Sequence, residues 1–576
     1  MKVLFFPLAV ILFLTINTGC KKPQSNTLVV HIINEPEDMH PTNGASAIRA
    51  EINLYTNLSL LKLDFKTGEL IPCIVKNLPT VSSDGLSYFY EIKDNITWDD
   101  QSSVTSADVA FTTKANKCLL TNNPALKSYW NNIKEIVIDP ANNKKFTVVM
   151  RRPYMLNTWF WTDFPIIQEA FYDKNKILSN FSTDQLTDST FFKIQPAIKQ
   201  WADDFNSPKY YSDINFMSGG GPYKITKWDK GISLTLEKKQ NHWTKNYPEN
   251  WFCQANPDKI IFKLNNNNAS TELELRNGLL DVSTSVDFAT FTELSKDKSF
   301  TDKYVIKLAD TYNYLYVAMN MKPDGQKRKK LFDDVLVRRA MALLTPYDQI
   351  NKTIYANNNK RMMGPISSLK KDFNHDLKPL AFDVEKAKTL LAQAGWADTD
   401  NDQVLDKIIN GKKVNLEFNI NFMSTQKQWE DMAKQIAESM QKAKVYVKLN
   451  PVDYNGFVTA VMTHDFDMSI GAWQSSAQPE DFSQLWHSAS WKNNGLNFPG
   501  FGTPQSDALI DSINTSVDES KRIALSQRFQ KMVYDEQPYI FLFEQARRVV
   551  VSKKWDNLVI YAEYPGVLLN TLKLKE

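Results

Sequence analysis

The second half of the chain alternates amphipathic helices with short apolar strands. Asp383 is placed to cap a helix that ends at Gly395, because apolar residues recur between them at helical spacing: Val384, Ala387, Leu390, Leu391 and Ala394. A second helical stripe comprises Trp429, Met432, Ile436 and Met440, and a strand with alternating Val445, Val447 and Leu449 follows it directly. Strand–helix–strand order implies parallel sheets. The sequence therefore predicts an α/β fold.

Further strands are predicted on both sides of this segment, at residues 28–33, 465–471, 539–543 and 549–551. Residues 88–92 and 96–98 each follow a turn that contains Asp, which indicates a hairpin-rich segment. Thr105 and Asp108 form a capping box that opens a helix. The predicted architecture is thus α/β with a β-richer insertion near the front.

The N-terminus is typical of an exported protein. Lys2 precedes an apolar run over residues 3–16, which is shorter than the roughly 20 residues that a membrane-spanning helix needs. Such a run indicates a secretory signal peptide over residues 1–19. Thr18 and Gly19 before Cys20 resemble a lipoprotein processing site, although Asn17 replaces the usual aliphatic residue. We expect Cys20 to carry a lipid, residues 20–27 to form a tether, and the protein to lie in the cell envelope outside the cytoplasm. An ordinary signal peptide with an incidental cysteine is the alternative.

Size and composition narrow the functional classes. A chain of 576 residues exceeds what one hydrophobic core holds, so two or three domains are expected. The net charge of +3 and the lack of a long basic run argue against nucleic acid as a partner. Cys73, Cys118 and Cys253 are far apart and form no C-x-x-C pair, so neither a zinc site nor thioredoxin-like chemistry is indicated. One disulfide and one free thiol stay possible.

Several segments, in order along the chain, resemble family 5 of the bacterial extracellular solute-binding proteins, which contains oligopeptide, dipeptide and nickel receptors. The matching segments are Asn34-Glu35-Pro36 with Pro41, then residues 70–72, 83–90, 98–109, 219–223, 277–281, 334–340 and 383–396. Residues 158–216 form a longer insertion than is usual, rich in aromatic residues and Asp. The resemblance spans nearly the whole predicted mature chain.

The resemblance implies the two-lobed type II periplasmic-binding-protein fold, with an additional subdomain on the first lobe. The expected boundaries assign residues 28–65, 216–310 and 541–576 to lobe I, 66–215 to its inserted subdomain, and 311–540 to lobe II. The resemblance also implies a monomeric, non-enzymatic receptor without a cofactor, which delivers a small molecule to an ABC permease and ATPase complex. Ligand would be held by closure of the lobes, because each lobe supplies part of the site.

The resemblance places ligand contacts in two segments. These are Asn34 and Glu35 after the first strand, and Gly471, Ala472, Trp473, Gln474 and Ser476 in the second lobe. Peptide receptors of the family bind the ligand main chain as an added strand, and an Asp three residues after the Trp pairs with its α-amino group. This chain has Ser476 at that position. Either Glu480 or Asp481 takes over that role, or the ligand has no free amine there.

Three functions are therefore weighed. A peptide-import receptor leads, a receptor for a metal chelate or an oligosaccharide is the alternative, and an envelope hydrolase is the alternative of another class. The hydrolase needs a catalytic cluster, but no H-E-x-x-H or G-x-S-x-G motif is present, and His464 with Asp465 and Asp467 has a spacing common by chance. Asp398, Asp400 and Asp402 lack the Gly and Glu of a calcium loop, so no metal site is predicted.

Overall fold

The computed structural model describes residues 26–44, 46–124, 126–323, 328–492 and 495–575. The predicted signal segment 1–19, the lipidation site Cys20 and most of the tether 20–27 lie outside the described residues. Within the described ranges, no helix combines the length and the apolar character that crossing a membrane requires.

Lobe I is built on a seven-stranded sheet. Its strands lie in the spatial order Tyr304–Ala309, Arg547–Ser552, Val282–Ser283, Thr27–Ile32, Lys259–Leu264, Ser233–Lys238 and Tyr223–Asp229. The strand Thr27–Ile32, predicted at 28–33, is central and runs parallel to both of its neighbours. Leu28 and Val30 are buried on it, so the β-branched and aliphatic run that predicted the strand forms part of the core.

Lobe II is built on a six-stranded sheet. Its strands lie in the order Lys360–Arg361, Tyr539–Glu544, Tyr314–Met319, Met468–Trp473, Glu417–Met423 and Tyr446–Val452. Glu417–Met423 and Tyr446–Val452 are parallel and joined by the helix Lys427–Gln441, as the sequence predicts. The helix Val384–Gln393 begins after Asp383, whose carboxylate accepts a hydrogen bond from the backbone N–H of Lys386 at 2.9 Å.

Two short crossings, residues 310–313 and 545–546, connect the two sheets. They are hydrogen-bonded side by side, since the backbone N–H of Gln545 donates to the carbonyl of Asn313 at 2.8 Å. The predicted boundary at 541 falls inside Tyr539–Glu544, which pairs with Tyr314–Met319 of the second sheet. The chain therefore returns to the first sheet after residue 544, because that strand continues its lobe II pairing to its end.

The inserted segment contains a four-stranded antiparallel sheet in the order Thr80–Val81, Ser87–Glu91, Lys145–Met150 and Ile133–Ile138. The predicted strand 96–98 is reduced to a single bridge between Thr97 and Ser103. The helix Ser106–Lys117 begins as predicted, with the backbone N–H of Thr105 donating to the Asp108 carboxylate at 2.8 Å. The other helices of the insertion are Phe160–Asp163, Glu169–Tyr172, Pro196–Phe205 and Lys209–Ser212.

The remaining elements complete the two lobes. The short strand pairs are Leu61–Leu63 with Leu70–Pro72, Asp406–Ile409 with Lys412–Asn415, and Trp555–Asp556 with Lys573–Leu574. The first of these pairs spans the expected boundary between residues 65 and 66. The other helices are Ala47–Thr56, Asn268–Arg276, Phe288–Lys296, Lys298–Thr301, Val335–Leu343, Tyr347–Tyr355, Tyr454–Met462, Ser483–Trp486, Pro504–Thr515 and Glu519–Glu536.

The glycine run at 219–221 allows the chain to pass against the end of the helix Ala47–Thr56. The backbone N–H of Gly221 donates to the Thr56 carbonyl at 3.0 Å, and a Cβ on Gly221 would lie 2.5 Å from the Tyr55 carbonyl oxygen. At Gly220 the same atom would meet only side chains at ordinary contact distances, a Leu58 methyl at 3.4 Å and the Trp98 ring at 3.7 Å. The motif is therefore a close backbone contact, which supports its interpretation as a tight strand entry.

Cys73, Cys118 and Cys253 are all buried free thiols, so the disulfide that the sequence left possible is not formed among them. Burial raises the pKa of the Cys73 thiol to about 11. These side chains therefore act as small apolar core residues, Cys73 and Cys253 in the core of the inserted sheet and Cys118 beside the helices that follow it.

Candidate ligand-binding site

Two adjacent cavities lie between the lobes, with volumes of 510 and 590 Å³. Both are lined by Tyr129, Asp163 and Phe164 of the insertion and by Gln478 of lobe II. The first cavity extends toward Arg49, Asn53, Asn57 and Lys62 of lobe I, and the second toward Arg152, Tyr154, Asp481 and Gln484. Each volume is within the range of small-molecule sites. Because the walls come from both lobes, a bound molecule would contact both at once.

The loop 474–482, called the cleft loop here, belongs to lobe II and contacts lobe I. Its Gln478 side chain donates from Nε2 to Asp163 at 2.9 Å, and its Asp481 accepts a hydrogen bond from the Tyr154 hydroxyl at 2.6 Å. The backbone N–H of Ala477 donates to the Glu563 carboxylate at 2.6 Å. These three contacts join the lobes directly and describe a closed arrangement.

Lobe II fixes the shape of the cleft loop. Lys370, whose side chain is 4% exposed, donates to the Gln478 carbonyl at 2.8 Å and pairs with Glu480 at 2.5 Å. At the start of the loop, the backbone N–H of Ser475 donates to the Asn313 side chain at 3.1 Å. Asn313 belongs to the crossing 310–313, so the loop is hydrogen-bonded to one of the two segments that connect the sheets.

Glu480 and Asp481, the two candidates to take over the role of the family Asp, both have partners within the protein. Glu480 forms the ion pair with Lys370. Asp481 accepts hydrogen bonds from Tyr154, from the backbone N–H of Ser483 at 2.8 Å and from the Asn514 amide at 3.1 Å. Ser476 itself accepts from the backbone N–H of Gln478 at 3.4 Å, so its hydroxyl helps to form the turn.

The strand Met468–Trp473 has a partly open edge. It pairs with Tyr314–Met319 over its whole length, but with Glu417–Met423 only at Met468 and Ser469. Residues 470–473 therefore have no strand partner on that side within the described part of the chain. A main chain that is extended in this way can accept a further strand by hydrogen bonding. Ala472 and Gln474, two of the predicted contact residues, are exposed at this end.

Trp473 lies in an aromatic cluster and is not part of the walls of either cavity. Its ring stacks on Tyr316 with centroids 5.9 Å apart and on Phe498 at 5.5 Å, and its indole N–H donates to the Tyr539 hydroxyl at 3.4 Å. Gly471 gives the Tyr316 ring its space, because a Cβ there would lie 2.6 Å from the ring. The structure thus gives both residues a packing role at the strand that leads into the cleft loop.

The other predicted contact segment follows the central strand of lobe I. Glu35 accepts hydrogen bonds from the backbone N–H of Gly231 at 3.1 Å and from the Trp228 indole at 3.3 Å, while Asn34 is exposed. Glu35 therefore stabilises the turn between two lobe I strands, whereas residues 471–476 are held by lobe II. A ligand role for Asn34 and Glu35 stays a prediction.

Sequence reasoning did not select the residues that line both cavities. Asp163 is the clearest case, since it lies in the 158–216 insertion, for which no functional role was inferred. Its carboxylate is accessible from the cavities, yet the enclosing walls raise its pKa through desolvation. The abundance of aromatic residues and Asp in the insertion was the only available signal, and it does not identify a particular carboxylate.

The two residue groups that resembled catalytic or metal sites in the sequence, around His464 and around Asp398, have partners within the protein. Arg328 contacts Asp465 at 2.8 Å and Asp467 at 3.2 Å, while the His464 ring stacks on Trp491. The histidine is therefore not paired with either aspartate as a catalytic base would be. Within the described ranges, the candidate metal cluster comprises Asp398, Asp400 and Asp406, to which Lys413 and Lys444 are paired.

Comparison with known proteins agrees with this geometry. The sequence profile described as "Bacterial extracellular solute-binding proteins, family 5 Middle" matches residues 69–495, well over half of the chain. The chain belongs to this family. The oligopeptide-binding protein AppA of Bacillus subtilis is similar, with 23% identity over 561 residues that cover 95% of this chain and 90% of AppA. The family consists of solute-binding proteins, as the ordered motifs predicted.

Solved structures of the family have the same fold. AppA from Bacillus subtilis in complex with a nonapeptide superposes with a TM-score of 0.70 at 20% identity, covering 96% of this chain and 99% of AppA. NikZ from Campylobacter jejuni in complex with Ni(L-His) gives a TM-score of 0.71 at 19% identity, with 95% and 99% covered. The predicted two-lobed type II fold is confirmed.

Proposed function

We propose that this protein is the substrate receptor of an ABC importer and captures peptides in the cleft between its lobes. The observation that carries the proposal is that both cavities have walls from the insertion of lobe I and from lobe II, and the first cavity also has walls from the body of lobe I. A molecule bound there stabilises the closed arrangement, because the open arrangement loses one wall. The receptor then presents closed, loaded lobes to a permease and its ATPase. It acts as a monomer and catalyses no reaction.

Two features favour a peptide as the ligand. Residues 470–473 offer unpaired strand edge, which suits the N–H and C=O groups of an extended peptide main chain. Relatives named as oligopeptide-binding and dipeptide-binding proteins align over 95% and 92% of this chain. Export and attachment to the membrane through lipidated Cys20 complete the proposal, since a tethered receptor stays close to its permease.

Thermal unfolding with a library of di- to hexapeptides tests the proposal. A ligand that binds only the native protein at 100 times its Kd adds about 2.7 kcal/mol of stability and raises the melting temperature. We expect a subset of free peptides to raise it in a concentration-dependent way, with amino acid mixtures of the same composition as controls. Unchanged melting across the library would refute peptide capture.

The alternative ligand is a metal chelate or an oligosaccharide. The similar NikZ structure holds Ni(L-His), which shows that this fold accommodates a small chelate. Native mass spectrometry of the protein as purified distinguishes the candidates, because a closed receptor retains its ligand. A co-purified peptide supports the proposal, whereas a chelate or a glycan would favour the alternative.

A further inference from the structure

The cleft contains several charged side chains, some of which have an ion-pair partner within the protein and some of which do not. Within the described ranges, Asp163 is a cavity-lining carboxylate without an ion pair within 4 Å, and it lies where the two cavities meet. We propose that Asp163 receives a ligand ammonium group and so takes the role that Ser476 cannot fill. This inference rests on the proposed function and adds to it the charge of the ligand at one position.

The other carboxylates of the cleft are less suited to this role. Glu480 is neutralised by Lys370 at 2.5 Å. Asp481 is held by three protein donors and joins the lobes through Tyr154. Asp163 accepts two hydrogen bonds, from the Thr162 hydroxyl at 3.0 Å and from the Gln478 amide at 2.9 Å, one fewer than Asp481. Asp163 is accessible in the empty cleft, and a bound ligand would displace solvent from it. A carboxylate that loses its solvent without an ion-pair partner is costly, and a ligand cation would offset that cost.

The cations of the cavity walls do not offer Asp163 an equivalent partner. Arg49 is buried and donates to the Gly44 carbonyl at 2.8 Å and to the His40 carbonyl. Arg152 lies over the Tyr154 ring and lines only the second cavity. Desolvation raises the pKa of Asp163, and the charge of Lys62 offsets only part of that rise, since Lys62 is buried and no ion pair within 4 Å joins the two side chains. Asp163 is thus the accessible charge at the junction.

The position of Asp163 also links cation binding to closure. Gln478 donates from its amide nitrogen to Asp163 across the lobe interface. The amide oxygen of the same side chain is then available to accept a hydrogen bond from an ammonium group bound at Asp163. A ligand cation would therefore contact lobe I through its insertion and lobe II through the cleft loop, so its binding stabilises the closed state.

Either a peptide α-amino group or a lysine side chain can supply this cation. The experiment uses the tightest peptide from the library, with its N-terminus free or acetylated, and acetylated analogues with Lys or norleucine at each position. Calorimetry compares wild type, Asp163→Asn and Asp481→Asn, after thermal unfolding has shown that each variant is folded. Asp481→Asn is the matched control, since it removes a carboxylate from the same cavity.

In one of these peptide pairs, free against acetylated N-terminus or Lys against norleucine, we expect wild type to bind the cationic peptide with a Kd about 10- to 100-fold lower. This is the effect of a hydrogen bond between charged groups. Asp163→Asn reduces that preference to less than threefold, whereas Asp481→Asn weakens both members equally. An undiminished preference in Asp163→Asn, or equal binding of charged and neutral analogues by wild type, would overturn the assignment while leaving peptide capture intact. Failure of every peptide to bind would instead refute the proposed function.

Discussion

Removing the hydrogen bond between Tyr154 and Asp481 tests directly whether this contact holds the two lobes together. The Tyr154 hydroxyl donates to Asp481 at 2.6 Å across the lobe interface, and burial with the nearby Asp481 charge raises the Tyr154 pKa. The phenol therefore stays a neutral donor throughout the physiological range. Tyr154→Phe removes only this oxygen and keeps the ring. Asp481 retains Ser483 and Asn514 as donors, so the variant leaves no orphaned carboxylate.

The expected magnitude follows from the charge and burial of the pair. A hydrogen bond to an ionised group contributes about 1.5–3 kcal/mol net, and partial exposure of this pair favours the lower end of that range. A loss of about 1.5 kcal/mol raises the free energy of the closed state, in which the two residues meet. If the empty receptor is mostly open, the whole loss appears as weaker binding, about tenfold in Kd.

Calorimetry with the library peptide measures this change, and small-angle scattering of the empty and loaded protein follows closure. We expect Tyr154→Phe to bind about tenfold more weakly while the loaded form reaches the wild-type radius of gyration. Tyr446→Phe, on an edge strand of lobe II away from the cleft cavities, is the matched control and should bind as wild type does. Equal affinity of Tyr154→Phe and wild type would show that this contact does not contribute to closure.

Three further predictions concern stability. Gly221→Ala should lower the free energy of unfolding by about 1–3 kcal/mol through its backbone clash, whereas Gly220→Ala should change it little; equal effects in chemical denaturation would contradict the packing argument. Glu51 accepts the Tyr564 hydroxyl at 2.8 Å, and burial raises its pKa to about 7. The folded state therefore holds a proton that the unfolded state loses near pH 4.5, so stability falls as pH rises from about 4.5 to 7. Glu51→Gln should remove this slope and gain up to about 3 kcal/mol at pH 8, and identical pH profiles would disprove it. Trp130→Ala should cost about 3–5 kcal/mol in urea unfolding, because its side chain is completely buried; a loss under 1 kcal/mol would be inconsistent with that burial.

The local elements were largely predictable because their signals are local. The cap at Asp383, the stripe of the helix Lys427–Gln441 and the capping box at Thr105 each depend on residues a few positions apart. The strand predicted at 96–98 was mostly wrong, because a strand needs partners and the chain provides only one bridge there. The proposed boundary at 541 falls inside a strand for a related reason, since pairing with Tyr314–Met319 extends that strand to Glu544.

By itself, the sequence determined the α/β class through hydrophobic periodicity and the family through its ordered motifs, since both are properties of the chain alone. The two-lobed fold followed from the family resemblance. Only the tertiary structure decided which charges in the cleft are already paired. Glu480 and Asp481 were reasonable candidates from their proximity to Ser476, but Lys370 and Tyr154 reach them from more than 100 and 300 positions away. Asp163 likewise accepts a hydrogen bond from Gln478, which is 315 residues away along the chain. Pairing of this kind depends on distances in space, which spacing along the chain does not encode.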